Sequence, residues 1–203
     1  MRHNIFLPFV VFIISVSLQS YNAVSEDPPI RDGFSLSFSY AALHDTTLNH
    51  EAFEIAQRGQ KILADAGLIK KTNLVTIIDY SLPSTEKRLF VIDLDQYIII
   101  QKSLVAHGKN SGDLHASRFS NRMQSHQSAL GFYITGNAYR GGQGYSMLML
   151  GVDTGFNDNA AKRSIVMHGA EYVSYEYIKK YGRAGRSFGC PAIPSNVNQE
   201  IID

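Results

Sequence analysis

Leu74-Val75-Thr76-Ile77-Ile78-Asp79-Tyr80, then Ser81-Leu82-Pro83-Ser84, then Arg88-Leu89-Phe90-Val91-Ile92-Asp93-Leu94: two β-branched, aromatic-rich runs stand on either side of a turn. Such runs read as strands, and the proline and serines between them as turn chemistry. The short gap suits antiparallel neighbours, because a parallel crossover takes roughly a dozen residues or more. A third run, Gln96 to Ala106, opens on Tyr97-Ile98-Ile99-Ile100. Leu130 to Thr135, Tyr145 to Gly151 and Ser164-Ile165-Val166-Met167 read the same way. Upstream the period changes. From Asn49 to Ala66, Phe53, Ile55, Ala56, Ile62 and Leu63 recur at helical spacing, with Glu51, Glu54, Gln57, Arg58 and Lys61 between them. Asn49 suits an N-cap and Gly67 the position after the last turn. The pattern predicts a β-rich α+β domain with an N-terminal helix covering its core. Ser195 fits the N-cap of a last helix whose apolar face is Val197, Ile201 and Ile202. The chain stops at Asp203 without a closing strand or C-cap, which suits a domain truncated at its C-terminus.

The chain has 203 residues, of which 44% are hydrophobic and 18% charged, a globular balance. Its start differs from its body. Met1-Arg2-His3-Asn4 is short and basic, Ile5 to Leu18 is apolar but for Pro8, Ser15 and Ser17, and Ala23-Val24-Ser25 fits a small-x-small cleavage site. This is the layout of a secretory signal peptide over residues 1–25, and the apolar run falls short of the ~20 residues a membrane span needs. An uncleaved anchor is the competing reading, and both export the protein to the periplasm or cell envelope. Residues 26–40 read as a linker and 41–203 as the domain. Without residues 1–25 the charges balance at 18 bases and 18 acids. That leaves neither the basic footprint of a nucleic-acid binder nor a polybasic membrane signal.

Cys190 is the one cysteine, so no internal disulfide can form. An unpaired thiol in an oxidising compartment is a liability unless buried or useful. It follows Gly182-Arg183-Ala184-Gly185-Arg186-Ser187-Phe188-Gly189. Three glycines let a backbone approach a ligand, and Arg183 and Arg186 favour a thiolate. The amides of Gly189 and Cys190 are candidates to face an oxyanion. An inert cysteine buried in a tight turn is the alternative. His168 closes the strand from Ser164 and precedes Gly169, whose carbonyl is a candidate to hold the ring's tautomer. Residues 107–128 form a long, polar, aperiodic loop. His44 and His50 lie six apart, while His107, His115 and His126 are spaced by eight and eleven. None of these is a zinc pattern, so no metal or other cofactor is expected. No G-x-S-x-G supports a serine nucleophile.

His168-Gly169 followed by Ser187-Phe188-Gly189-Cys190 resembles the H-G … [S/T]-x-G-C signature of the L,D-transpeptidase (YkuD-type) catalytic domain. Val105 to Gly112 is similar to that family's strand running into a small-residue turn, and Ser128 to Ile134 to its T-P-x-G-x-[FY]-x-I segment. Phe188 stands where the family often has His, and Ala192 where it often has Asn or Arg. The gap from His168 to Cys190 is longer than usual. Together with Pro191 and Ala192 the motif reads S-x-G-C-P-A, resembling a divergent murein L,D-transpeptidase-like subfamily.

The resemblance implies Cys190 as nucleophile, His168 as base, the Gly169 carbonyl as orienting group, and Gly189 and Cys190 as oxyanion amides. Ser187 would shape the loop, and Arg183 and Arg186 would meet the substrate's carboxylates. It implies a cysteine acyltransferase that cross-links peptidoglycan stem peptides through a thioester and forms a carbapenem adduct at Cys190. L,D-carboxypeptidase action and a non-catalytic peptidoglycan-binding domain are the alternatives. A papain-like protease has the opposite cysteine-to-histidine order.

Overall fold

The computed structural model describes Val10–Ile14 and residues 40–203. Eight strands form one sheet: β1 (Val10–Ile14), β2 (Leu74–Asp79), β3 (Leu89–Asp93), β4 (Ile98–Ser103), β5 (Gly131–Gly141), β6 (Gly144–Gly151), β7 (Val166–Gly169) and β8 (Ala192–Ile193). Their order across the sheet is β4-β3-β2-β1-β5-β6-β7-β8. The β2–β3–β4 and β5–β6–β7 runs are antiparallel meanders, as the short gaps predict for all but the longer connection from β6 to β7. β7 and β8 are parallel, with His168 opposite Ala192.

β1 joins the two meanders. It runs parallel to β2, with Val10 opposite Val75, and antiparallel to β5, with Val10 opposite Ile134. These five residues fall inside the segment read from sequence as a leader. The remainder of that segment and most of the 26–40 linker lie outside the described residues.

Helix α1 (His50–Asp65) forms where the apolar period places it. The Asn49 side chain accepts from the Ala52 N–H at 3.1 Å, and Gly67 adopts φ 68° beyond the end. Ala52, Phe53 and Ala56 bury their side chains against Val75, Ile77, Phe90 and Ile92 of β2 and β3. A second core gathers Ile78, Leu89, Tyr133, Met147, Met149, Met167 and Ile193, and Ile201 and Ile202 close it. The architecture is therefore α+β and strand-rich, with the expected covering helix.

Three details depart from the sequence reading. The final helix α3 (Asn198–Ile202) starts after Val197, not at Ser195. The Val197 N–H first closes a turn onto Pro194 O, which delays the helix. β7 includes His168 and Gly169, and it begins at Val166 because Ser164 takes φ 55°. A short helix, α2 (Tyr175–Tyr181), follows β7, capped by Ser174 and ended by Gly182 at φ 74°. No described helix is long and apolar enough to cross a membrane.

The polar loop 107–128 folds back over one end of the sheet. Arg88, fully buried, donates to Val105 O through Nε and Nη2 at 3.1 and 2.8 Å and to Leu82 O at 2.8 Å. The same Nη2 reaches His107 Nδ1 at 2.8 Å. Further along, Asn121 accepts from the Asn159 N–H and donates to Asp158, tying the loop to the turn between β6 and β7. These bonds give a segment without regular structure a fixed shape.

Candidate active site

The loop before β8 is built around Ser187. Its N–H donates to His107 O at 3.0 Å, and its carbonyl accepts from the Lys109 N–H at 2.8 Å. Its Oγ accepts from the Gly189 N–H at 3.0 Å and donates to Cys190 O at 2.6 Å. One hydroxyl therefore folds the three residues that end at the nucleophile candidate. Ser128 braces the loop from the other side, its Oγ donating to Gly189 O at 3.2 Å and accepting from the Gly108 N–H at 3.1 Å. Gly189 itself sits at φ 124°, with Gln127 O 2.8 Å from where a Cβ would stand. No side chain fits there without strain.

Cys190 is partly buried and lines a cavity of about 500 Å³ that His168 also lines. The Sγ approaches Ser164 O at 3.7 Å. Burial pushes the thiol up from its ordinary range, while the Val166 N–H and the Arg163 charge pull it back. His168 is buried in β7, and its Nδ1 lies 2.9 Å from Gly169 O. A carbonyl only accepts, so Nδ1 carries a proton, and in the neutral ring Nε2 is the nitrogen with the free lone pair. That is the tautomer a base needs. Gly169 is held closely, because a Cβ there would stand 3.1 Å from the Asn198 Cβ and Cγ.

The other residues expected at the site divide. Arg186 and Ser187 line the cavity with Cys190. Arg183 is not among the lining residues and ion-pairs with Asp113 at 2.5 Å. Arg186 also reaches Asp113, at 3.2 Å, and donates to Gly112 O at 3.0 Å. The two amides expected at an oxyanion differ as well. The Gly189 N–H is taken by Ser187 Oγ, while the Cys190 N–H lies beside its own thiol. Phe188 is 65% exposed at the cavity rim, between Lys109 Nζ at 4.4 Å and the His126 ring at 4.6 Å.

The sequence reading missed several lining residues, Tyr139, Tyr172 and Arg163 among them, and Arg163 is the one of these that carries a charge. It ends the polar turn after β6 and has no motif around it, so nothing local distinguishes it from a solvated arginine. A larger cavity, about 640 Å³, lies between Ser103-Leu104 and Ser174-Tyr175. It holds neither the thiol nor the imidazole, so the chemistry of the lining and not the volume marks the site. Among the described residues no group of three or more His, Cys, Asp or Glu is placed to hold a metal ion.

The model of one protein family, described as an L,D-transpeptidase catalytic domain, matches residues 44–203. No protein of curated function and no solved structure matches the chain.

Proposed function

The chain belongs to the L,D-transpeptidase catalytic-domain family, and from that premise we propose that it is a cysteine transpeptidase of peptidoglycan stem peptides. The observation that carries the reading is a single cysteine and a histidine of the correct tautomer lining one cavity. His168 Nε2 takes the Cys190 proton, and the thiolate attacks the carbonyl at the L-centre of a stem residue such as meso-diaminopimelate. The C–N bond to the terminal D-Ala breaks, and His168 returns the proton to the leaving amine. The resulting thioester keeps the acyl group activated, so cross-linking needs no nucleotide. An amine from a second stem attacks it, His168 removes the amine's proton, and the thiolate is released.

The Cys190 amide is the donor we assign to the developing oxyanion. Both loop arginines pair with Asp113, but Arg186 lines the cavity and Arg183 does not, so Arg186 is the better candidate for a substrate carboxylate. The family acts on the cell wall, and that supports a location in the cell envelope, where the substrate lies.

Intact mass of the protein incubated with a tetrapeptide stem, and separately with a carbapenem, tests the nucleophile. A covalent adduct is expected on wild type and none on Cys190→Ala. An adduct that persists on Cys190→Ala would sink the proposal. Adding an amine acceptor and reading the products separates transpeptidation from L,D-carboxypeptidase action, in which water resolves the thioester.

A further inference from the structure

Arg163 stands at the end of the turn that joins β6 to β7, one residue before Ser164 at φ 55°. Its guanidinium donates to three acceptors of the 107–128 loop: Ser120 O at 2.7 Å, Ser125 Oγ at 3.2 Å, and Gln127 O. Nη2 lies 3.0 Å from the point where a Gly189 Cβ would be, so the cation rests against the residue before the nucleophile. All three acceptors are neutral. Among the described residues no carboxylate ion-pairs with Arg163, whereas Arg183 and Arg186 share Asp113. A planar guanidinium fixed by three bonds keeps its charge uncancelled and cannot swing away.

The other charged or titratable groups that line the cavity around the thiol are His168 on β7, Tyr172 beyond it, Tyr139 on β5 and Arg186 on the cysteine loop. Tyr80 stands behind the site, its hydroxyl donating to Ala106 O at 3.2 Å. Of the two arginines that line this cavity, Arg163 is the one whose charge no carboxylate offsets.

We propose that Arg163 is a positioning residue for Cys190: tethered to the 120–127 segment, it fixes the Gly189 turn and holds a positive charge against the thiolate. This rests on the reading of Cys190 as nucleophile. The same tether links the 107–128 loop to the thiol, so a ligand that displaces Ser120, Ser125 or Gln127 also displaces the cation.

Because Cys190 is the one cysteine, alkylation by iodoacetamide reads it alone. The rate is followed against pH on the full chain for wild type, Arg163→Gln and Arg163→Lys, with folding checked by thermal melting. Glutamine keeps N–H donors and loses the charge; lysine keeps the charge. The alkylation midpoint is expected to rise by about one pH unit in Arg163→Gln and to stay near wild type in Arg163→Lys. A glutamine variant that titrates with wild type overturns the proposal, as does a lysine variant displaced as far as glutamine. Should Arg163→Gln not fold, Arg163→Met takes its place under the same criteria. Alkylation needs no substrate, so its outcome is separate from the adduct experiment that tests Cys190 as nucleophile.

Discussion

At Gly189 the chain takes φ 124°, and any Cβ would meet the Gln127 carbonyl oxygen at 2.8 Å and Arg163 Nη2 at 3.0 Å. Both neighbours are bonded in place, so neither can give way cheaply. Gly189→Ala is expected to lower stability by about 1–3 kcal/mol, through backbone strain alone. By misplacing the thiol it is also expected to slow acylation by a carbapenem at least about tenfold. Chemical denaturation and an intact-mass time course read the two effects, and acylation at the wild-type rate would contradict the geometry. Ser187→Ala removes the hydroxyl shared by the Gly189 N–H and Cys190 O, at a cost of about 1–3 kcal/mol. Ser187→Thr retains that hydroxyl and is expected to recover most of the acylation rate that Ser187→Ala loses. The glycines, Ser187 and Cys190 are contiguous in sequence, which is why the motif was readable there. Arg163 was not, because its acceptors stand 36 to 43 residues upstream and two of the three are backbone carbonyls. Arg183 and Arg186 looked equivalent for the same reason, since only the folded loop sets Arg186 in the cavity wall and leaves Arg183 out of it.

Between β4 and the long loop, Arg88 and His107 form a buried polar joint that fixes where the loop departs. Burial first, and the Arg88 charge second, hold the His107 imidazole down to about 4 from an ordinary 6.5. The unfolded chain therefore binds one more proton than the folded chain between those values. Stability contributed by the neutral ring is complete above about pH 6.5 and is lost as the pH falls toward 4. Full loss is on the order of 3 kcal/mol. His107→Gln, which keeps an acceptor for Arg88, is expected to flatten the slope of melting temperature over that window. Asp45, held down to about 2 despite partial burial because Lys102 and Thr47 donate to it, acts in a lower window: its stability is present above its ordinary 3.8 and is lost as pH falls toward 2. An unchanged slope in His107→Gln would remove the ring from the account. Elements with a buried stripe were legible in sequence: α1 and the meander strands carry their period openly. α2 was not, because it buries no residue and leaves Tyr175 and Tyr181 in solvent. β8 was missed because two residues offer no period, and parallel pairing with β7 defines it.

Across the whole molecule, β1 is the one strand that joins the two meanders, pairing five residues with β2 and four with β5. A leader cut at Ala23-Val24-Ser25 and a strand at Val10–Ile14 exclude each other in one mature molecule. The sequence could not expose this conflict, because a short apolar run reads equally as a leader's core or as a buried strand, and its partners lie some sixty and more residues away. With β1 absent, the inner edges of β2 and β5 present unpaired N–H and C=O groups in the middle of the sheet, where each costs about as much as a lost hydrogen bond. The site is built on the β5–β8 side, while α1 packs over β2 and β3. Loss of β1 is thus expected to loosen the join before it touches the Cys190 loop. A chain beginning at Glu26 is expected to melt below the full chain. It is also expected to lose amide-exchange protection at Thr76, Ile78 and Tyr133, whose amides face β1, while the amides of β7 stay protected longest. Equal melting and equal protection in the two chains would show that β1 is dispensable and that the sheet closes between β2 and β5 by other means.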